Sequence, residues 1–200
     1  LYASWRSWIS YQFPNRVGVR VRYWEFDQQV TNDANVFAYG LDAYVLDVEG
    51  TYGKSLGSNW EVLLTGGVRQ VGFHEDRTAT NLPSFIDSHL TGLVLGGEMS
   101  RGLFGGLRSY GITRAAAVFG DTTGEVPPGF VVIFENTYRF MWEAQLGLEW
   151  RRDTEFGELA LRVGAEVHHW DSISYKSDPI TRDPESVGLA GVVTGLTFRR

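Results

Sequence analysis

The chain has 200 residues, a formal net charge of −6, eighteen basic residues of which only Lys54 and Lys176 are lysines, twenty-four glycines and no cysteine. These values exclude a disulfide framework, a thiolate metal site and the basic stripe that nucleic-acid binding requires. Water-exposed surfaces use lysine freely, so its scarcity beside 14% aromatic residues points to an exterior that is not wholly in water.

The longest purely apolar runs, such as Ala115 to Phe119 and Phe130 to Phe134, fall far short of the ~20 residues a membrane helix needs. Period-2 alternation dominates instead. Leu1 to Phe13 alternates with Trp5, Ile9, Tyr11 and Phe13 on one side. Val17, Val19, Val21 and Tyr23 then alternate with Gly18, Arg20, Arg22 and Trp24. Tyr44, Leu46, Val48 and Tyr52 oppose Asp47, Glu49 and Thr51, and Trp60, Val62, Leu64 and Val68 oppose Glu61, Thr65 and Arg69. Further strands are predicted over Ser88 to Arg101 and Leu107 to Gly120, where small residues blur the faces.

The clearest pattern runs from Phe140 to Arg152, with Trp142, Ala144, Leu146, Leu148 and Trp150 on one face and Glu143, Gln145, Gly147, Glu149 and Arg151 on the other. Glu158 to Trp170 repeats it: Leu159, Leu161, Val163, Ala165 and Val167 oppose Arg162, Gly164, Glu166 and His168. Asp153 to Gly157 joins the two as a hairpin, and Ser186 to Phe198 makes a ninth strand.

The connections alternate strictly. Short turns are predicted near Pro14-Asn15, Lys54 to Ser58, Gly102 to Gly106 and Asp153 to Gly157; long polar loops are predicted at Gln28 to Asn35, His74 to Asp87, Asp121 to Pro128 and Asp171 to Glu185. Bacterial outer-membrane barrels show this asymmetry, with short periplasmic turns and longer external loops. The expectation is therefore an all-β, antiparallel up-and-down transmembrane barrel of about 8–10 strands, a single domain over residues 1–200. The chain opens on Leu1 without a signal peptide, so the expected natural product carries an export signal and further amino-terminal residues.

Alternation alone does not say which face points inwards. A soluble lipocalin-like carrier of an apolar ligand would bury the apolar face and expose the charged one. Long strands favour the membrane arrangement, as do aromatics where strands meet turns or loops: Tyr11, Phe13, Trp24, Phe26, Tyr52, Trp60, Phe73, Phe119, Tyr138, Phe156 and Trp170. Trp142 and Trp150 share a face eight residues apart, roughly 26 Å along a strand and about 20 Å along the membrane normal after tilt. With Trp60 they form the expected aromatic girdle. The membrane reading requires Leu146, Leu148 and Val163 to face outwards and Glu149 and Arg162 to be enclosed.

The lumen would then be lined by Arg20, Arg22, Asp47, Glu49, Glu61, Arg69, Glu98, Arg114, Glu143, Glu149, Arg162 and Glu166. Two readings of that face stand side by side. It could form a narrow, water-filled conduit for small solutes or ions, tuned by its charged rings. It could equally be a salt-bridged interior that locks a closed structural barrel, since unpaired buried charges are costly.

Nothing here resembles an active site, and no catalytic residue, cofactor or metal is expected. His168 and His169 are adjacent on a strand and point to opposite faces; His74 and His89 flank one loop near Asp76 and Asp87 and read as solvated, a hydrolase using them being the least favoured alternative. A nucleophile elbow is absent, and Gly66-Gly67, Gly96-Gly97 and Gly105-Gly106 read as kinks or turns. Asp33, Glu75, Asp76, Asp121, Glu125, Asp178 and Asp183 could hold divalent cations but read as solvated loop residues.

Four blocks carry a family resemblance: VGVRVRYWEFDQ (Val17 to Gln28), LGGEMSRGLFGGLRSYGITRAAAVFGD (Leu95 to Asp121), EAQLGLEWRRD (Glu143 to Asp153) and LRVGAEVHHWDSI (Leu161 to Ile173). In them the chain resembles the Legionella-type major outer-membrane proteins, a pore-forming family with relatives in planctomycete-like bacteria. The resemblance implies a location in the Gram-negative outer membrane and a porin-like transport role. Expected partners are membrane lipid and lipopolysaccharide, the barrel-assembly machinery, and small solutes or ions. One departure is the end Leu196-Thr197-Phe198-Arg199-Arg200, where such barrels favour a terminal aromatic.

Overall fold

The computed structural model describes residues 4–31, 37–79, 82–126, 130–175 and 184–199. They form β1 (Ser4–Gln12), β2 (Val17–Thr31), β3 (Phe37–Leu56), β4 (Trp60–Ala79), β5 (Leu82–Phe104), β6 (Leu107–Val126), β7 (Phe130–Thr154), β8 (Gly157–Tyr175) and β9 (Pro184–Arg199). All nine lie in one sheet in sequence order, each antiparallel to the next. The topology is up-and-down, and the described residues contain no helix.

The sheet curls about one face. β2 reaches β7 through Arg22 and Glu143, β1 reaches β8 through Arg6 and Glu166, and β4 reaches β8 through Arg77 and Ser174. β1 and β9 run in the same direction and are not hydrogen-bonded neighbours. Inner side chains cross that seam: the Trp8 ring lies 3.6 Å from where a Cβ on Gly195 would stand.

The turns match their sequence signals. Gly105 and Gly106 both have positive φ (54° and 81°), as a two-residue hairpin turn requires. Arg16 adopts φ 72° in the β1–β2 turn, where Phe13 N donates to Val17 O at 2.8 Å. The sheet is tightly coiled between strands. A Cβ on Gly92 would stand 2.0 Å from Ala117 O, so Gly92→Val is expected to cost about 1–3 kcal/mol through forced backbone shifts. Urea unfolding followed by tryptophan fluorescence would register the loss.

The long loops are shorter than the sequence suggested. β4 continues through His74 to Ala79 and β5 begins at Leu82, while β6 runs to Val126 and β8 to Tyr175. In the β4 extension both faces are polar, with His74 and Asp76 outside and Glu75 and Arg77 inside, so hydropathy contrast vanishes there while backbone pairing persists. The remaining connections, 32–36, 80–81, 127–129 and 176–183, lie outside the described residues, and Asp33, Asp178 and Asp183 with them. In β8 the register slips between Trp170 and Ser174, and Ser172 takes φ 54°. This bulge turns two consecutive residues, Ile173 and Ser174, into the interior.

Candidate functional site

The chain is polarised across its sheet. Leu146 is 70% exposed, Val163 51% and Leu148 44%, whereas Glu149 is fully buried and the Arg162 side chain keeps only 15% exposure. The same division holds around the sheet: Val19, Val48, Leu64, Leu95 and Leu196 face outwards, while Arg20, Asp47, Arg69 and Arg114 are enclosed. All twelve residues read as lumen-lining lie on the inner face. Trp60, Trp142 and Trp150 all stand on the outer one.

Near the short turns the interior is a ladder of ion pairs. Arg69 donates from Nε and Nη2 to the two oxygens of Asp47, at 2.7 and 2.8 Å, and from Nη2 to Glu143 at 2.7 Å. Arg22 donates to Glu143 at 2.8 Å and to Asp47 at 3.2 Å, closing a four-residue square across β2, β3, β4 and β7. A second group joins Arg20 to Glu49 at 2.7 Å and to Glu98, which also accepts from Arg114 at 3.1 Å. The Thr65 hydroxyl donates to Glu49 at 3.3 Å. Glu149 pairs with both Arg151 and Arg162, and Arg151 continues to Glu61 at 2.9 Å. Alternation places these groups: a charge at every second position of adjacent strands stacks into rows on one face.

Above the ladder, towards the long connections, the interior turns apolar. Trp24, Phe26, Leu41, Ala43, Val45, Val71, Phe73, Leu90, Val94, Val118, Met141 and Trp170 form one packed cluster, which Ile173 joins from the bulge. This corrects one expectation: the inner face is not polar throughout. Trp24, Phe26, Phe73 and Trp170, aromatics near strand ends, are inner packing residues and lend no support to an outer-face girdle. Their parity explains it: Trp24 and Phe26 stand two and four residues beyond Arg22 and so share its face. Trp24 stacks on His168 with ring centroids 4.8 Å apart and meets Trp170 edge-on at 5.6 Å.

His168 marks the boundary between the two storeys. Arg6 lies 2.8 Å from Glu166 and 3.3 Å from His168 Nε2, so β1 is fastened to β8 by the top of the ladder. A polar cap lies above the apolar cluster. The Ser174 hydroxyl donates to Glu75 at 2.6 Å, and Arg77 donates to Ser174 at 2.9 Å and to Glu75. Glu75, read from sequence as a solvated loop residue, is thus a buried member of this cap.

His74, Asp87 and His89 meet on the outer face of β4 and β5. His74 Nδ1 is 3.6 Å and His89 Nε2 3.2 Å from Asp87, and His74 Nε2 is 3.1 Å from Asp76. No cluster able to hold a metal ion occurs among the described residues. His168 is enclosed while His169 stacks on outward-facing Trp142, so the pair does share no face.

The chain matches no family model, no curated protein and no solved structure.

Proposed function

We propose that this protein is a β-barrel of the bacterial outer membrane whose interior is sealed by its own side chains. One observation carries the reading: large apolar side chains stand exposed around the outer face while the charged rows are enclosed. A soluble protein of this length would leave that apolar belt in water, far beyond the few hundred Å² that monomers normally expose. A bilayer removes the cost. A carrier with an apolar cavity calls for the opposite division, with charge outside.

The belt also has the right height. Lys54 and Asp42 on β3, like Arg101 and His89 on β5, lie twelve residues apart on the outer face. That is about 40 Å along a strand and about 30 Å along the normal at a ~40° tilt, close to the ~30 Å hydrocarbon thickness. Arg6 and Trp8 bring β1 within side-chain reach of β8 and β9, although the backbone edges of β1 and β9 are not hydrogen-bonded to each other.

Between a conduit and a closed barrel, the geometry favours the closed one. Asp47, Glu49, Glu149, Val71 and Val118 are at most 1% exposed, so water is kept from these positions in both storeys. The resemblance to a pore-forming family supports the second reading, a narrow pore. Planar-bilayer recording separates them: the sealed barrel gives no conductance steps after insertion, and regular steps would restore the pore. The membrane assignment is tested by refolding from urea into lipid vesicles. A folded, vesicle-associated band of altered electrophoretic mobility is expected, and a folded monomer that stays in detergent-free buffer would overturn it.

A further inference from the structure

The outer face is polarised along the barrel axis as well as across the sheet. Towards the short turns, the last charged outward positions on β3, β5 and β7 are Lys54, Arg101 and Arg152, all exposed, with exposed Leu56, Leu103 and Thr154 beyond them. At the loop-side edge the outward charges are Glu25, Asp27, Asp42, Asp76, Asp87, Asp121, Glu125 and Asp171, with no outward lysine or arginine among the described residues there. The three turn-side cations differ from the inner arginines in a second way. None of them makes an ion pair with a described residue, whereas Arg20, Arg22, Arg69 and Arg114 are all paired. Arg101 instead lies over the Trp60 ring, 5.3 Å from its centroid, the pairing of cation and amphipathic ring that suits a headgroup boundary.

Resting on the membrane reading above, we propose that Lys54, Arg101 and Arg152 form a collar that docks the phosphate groups of anionic phospholipid in the turn-side leaflet. Charge complementarity selects the partner: unpaired cations at the edge of a hydrocarbon belt meet lipid phosphates at that depth, and the loop-side carboxylates repel the same lipid. Asp153 and Glu155 sit past the collar in the β7–β8 turn and offset part of the field of Arg152. Lys54 and Arg101 therefore carry most of the effect. Each juxtamembrane cation is worth about fivefold in favour of an anionic surface at low salt, equivalent to ~1 kcal/mol.

The test refolds the full chain into vesicles of phosphatidylcholine alone and of phosphatidylcholine mixed with phosphatidylglycerol, and compares the folding equilibria by urea titration. Wild type is expected to gain several-fold to tens-fold in the anionic vesicles, and high salt should erase the gain. The K54Q/R101Q/R152Q variant should fold as wild type in phosphatidylcholine and lose most of that gain. Should the triple variant fail to fold, Arg101→Gln alone is expected to lose about fivefold. An undiminished gain in the variants, or one indifferent to salt, overturns the collar while leaving the membrane reading intact. Failure of wild type to enter either vesicle overturns both.

Discussion

Glu143→Ala is expected to lower the unfolding free energy by ~3–5 kcal/mol, the range seen when one partner of a buried ion pair is removed. Glu143 accepts from Arg22 and Arg69 at 2.8 and 2.7 Å, and only Asp47 remains to both guanidinium groups once it is gone. Two buried arginines then share one carboxylate. The double variant R69M/E143M is expected to recover most of the loss, because it removes a cation with an anion and leaves the Arg22–Asp47 pair intact. Urea titration of vesicle-embedded protein measures both. The result also bears on the lumen: a loss below ~1 kcal/mol would match the worth of solvated ion pairs and would mean that water reaches the ladder. A buried network is also little affected by salt, so the loss should be similar at low and high ionic strength.

The strands were legible wherever their two faces differed. β7 and β8 alternate leucine, valine and tryptophan against glutamate and arginine, and their pairing of Glu149 with Arg162 and Leu148 with Val163 follows from the hairpin turn between them. Legibility failed in two physically distinct ways. Where both faces are polar, as from His74 to Arg77, the backbone ladder continues without a hydropathy signal, and strand was read as loop. Where the inner face turns apolar, as at Ala43, Val45, Val71 and Leu90, both faces become hydrophobic and the inner storey merges with the outer belt. Counting in twos already set Trp24 on the face of Arg20 and Arg22, and the same count puts Phe26 inside. Position near a strand end was the weaker signal, and parity the stronger. The bulge in β8 is different in kind: nothing in Asp171-Ser172-Ile173-Ser174 announces that Ile173 and Ser174 both turn inwards. The cross-barrel partners, such as Arg6 with Glu166 or Arg22 with Glu143, depend on how tightly the sheet curls, which local pattern does not encode.

Leu146→Arg separates the membrane barrel from any soluble alternative more sharply than a change in the interior can. Leu146 lies mid-strand on β7 and is 70% exposed, with Trp142 and Trp150 four residues away on either side of the same face. In water, an exposed leucine replaced by arginine changes stability by no more than ~0.5 kcal/mol and improves solubility. In a bilayer the same position sits near the midplane of the belt, where an outward arginine costs ~2–4 kcal/mol. The penalty should fall to about 0–1 kcal/mol for Trp150→Arg plus the loss of its ring, because that residue lies near the turn-side edge and a long side chain can reach the headgroups. Depth dependence is therefore the diagnostic. Urea titration in phosphatidylcholine vesicles should rank Leu146→Arg well below wild type and a substitution at the edge between them. Equal, negligible effects at both depths would mean that the apolar belt never meets acyl chains, and the outer-membrane assignment would fall with it.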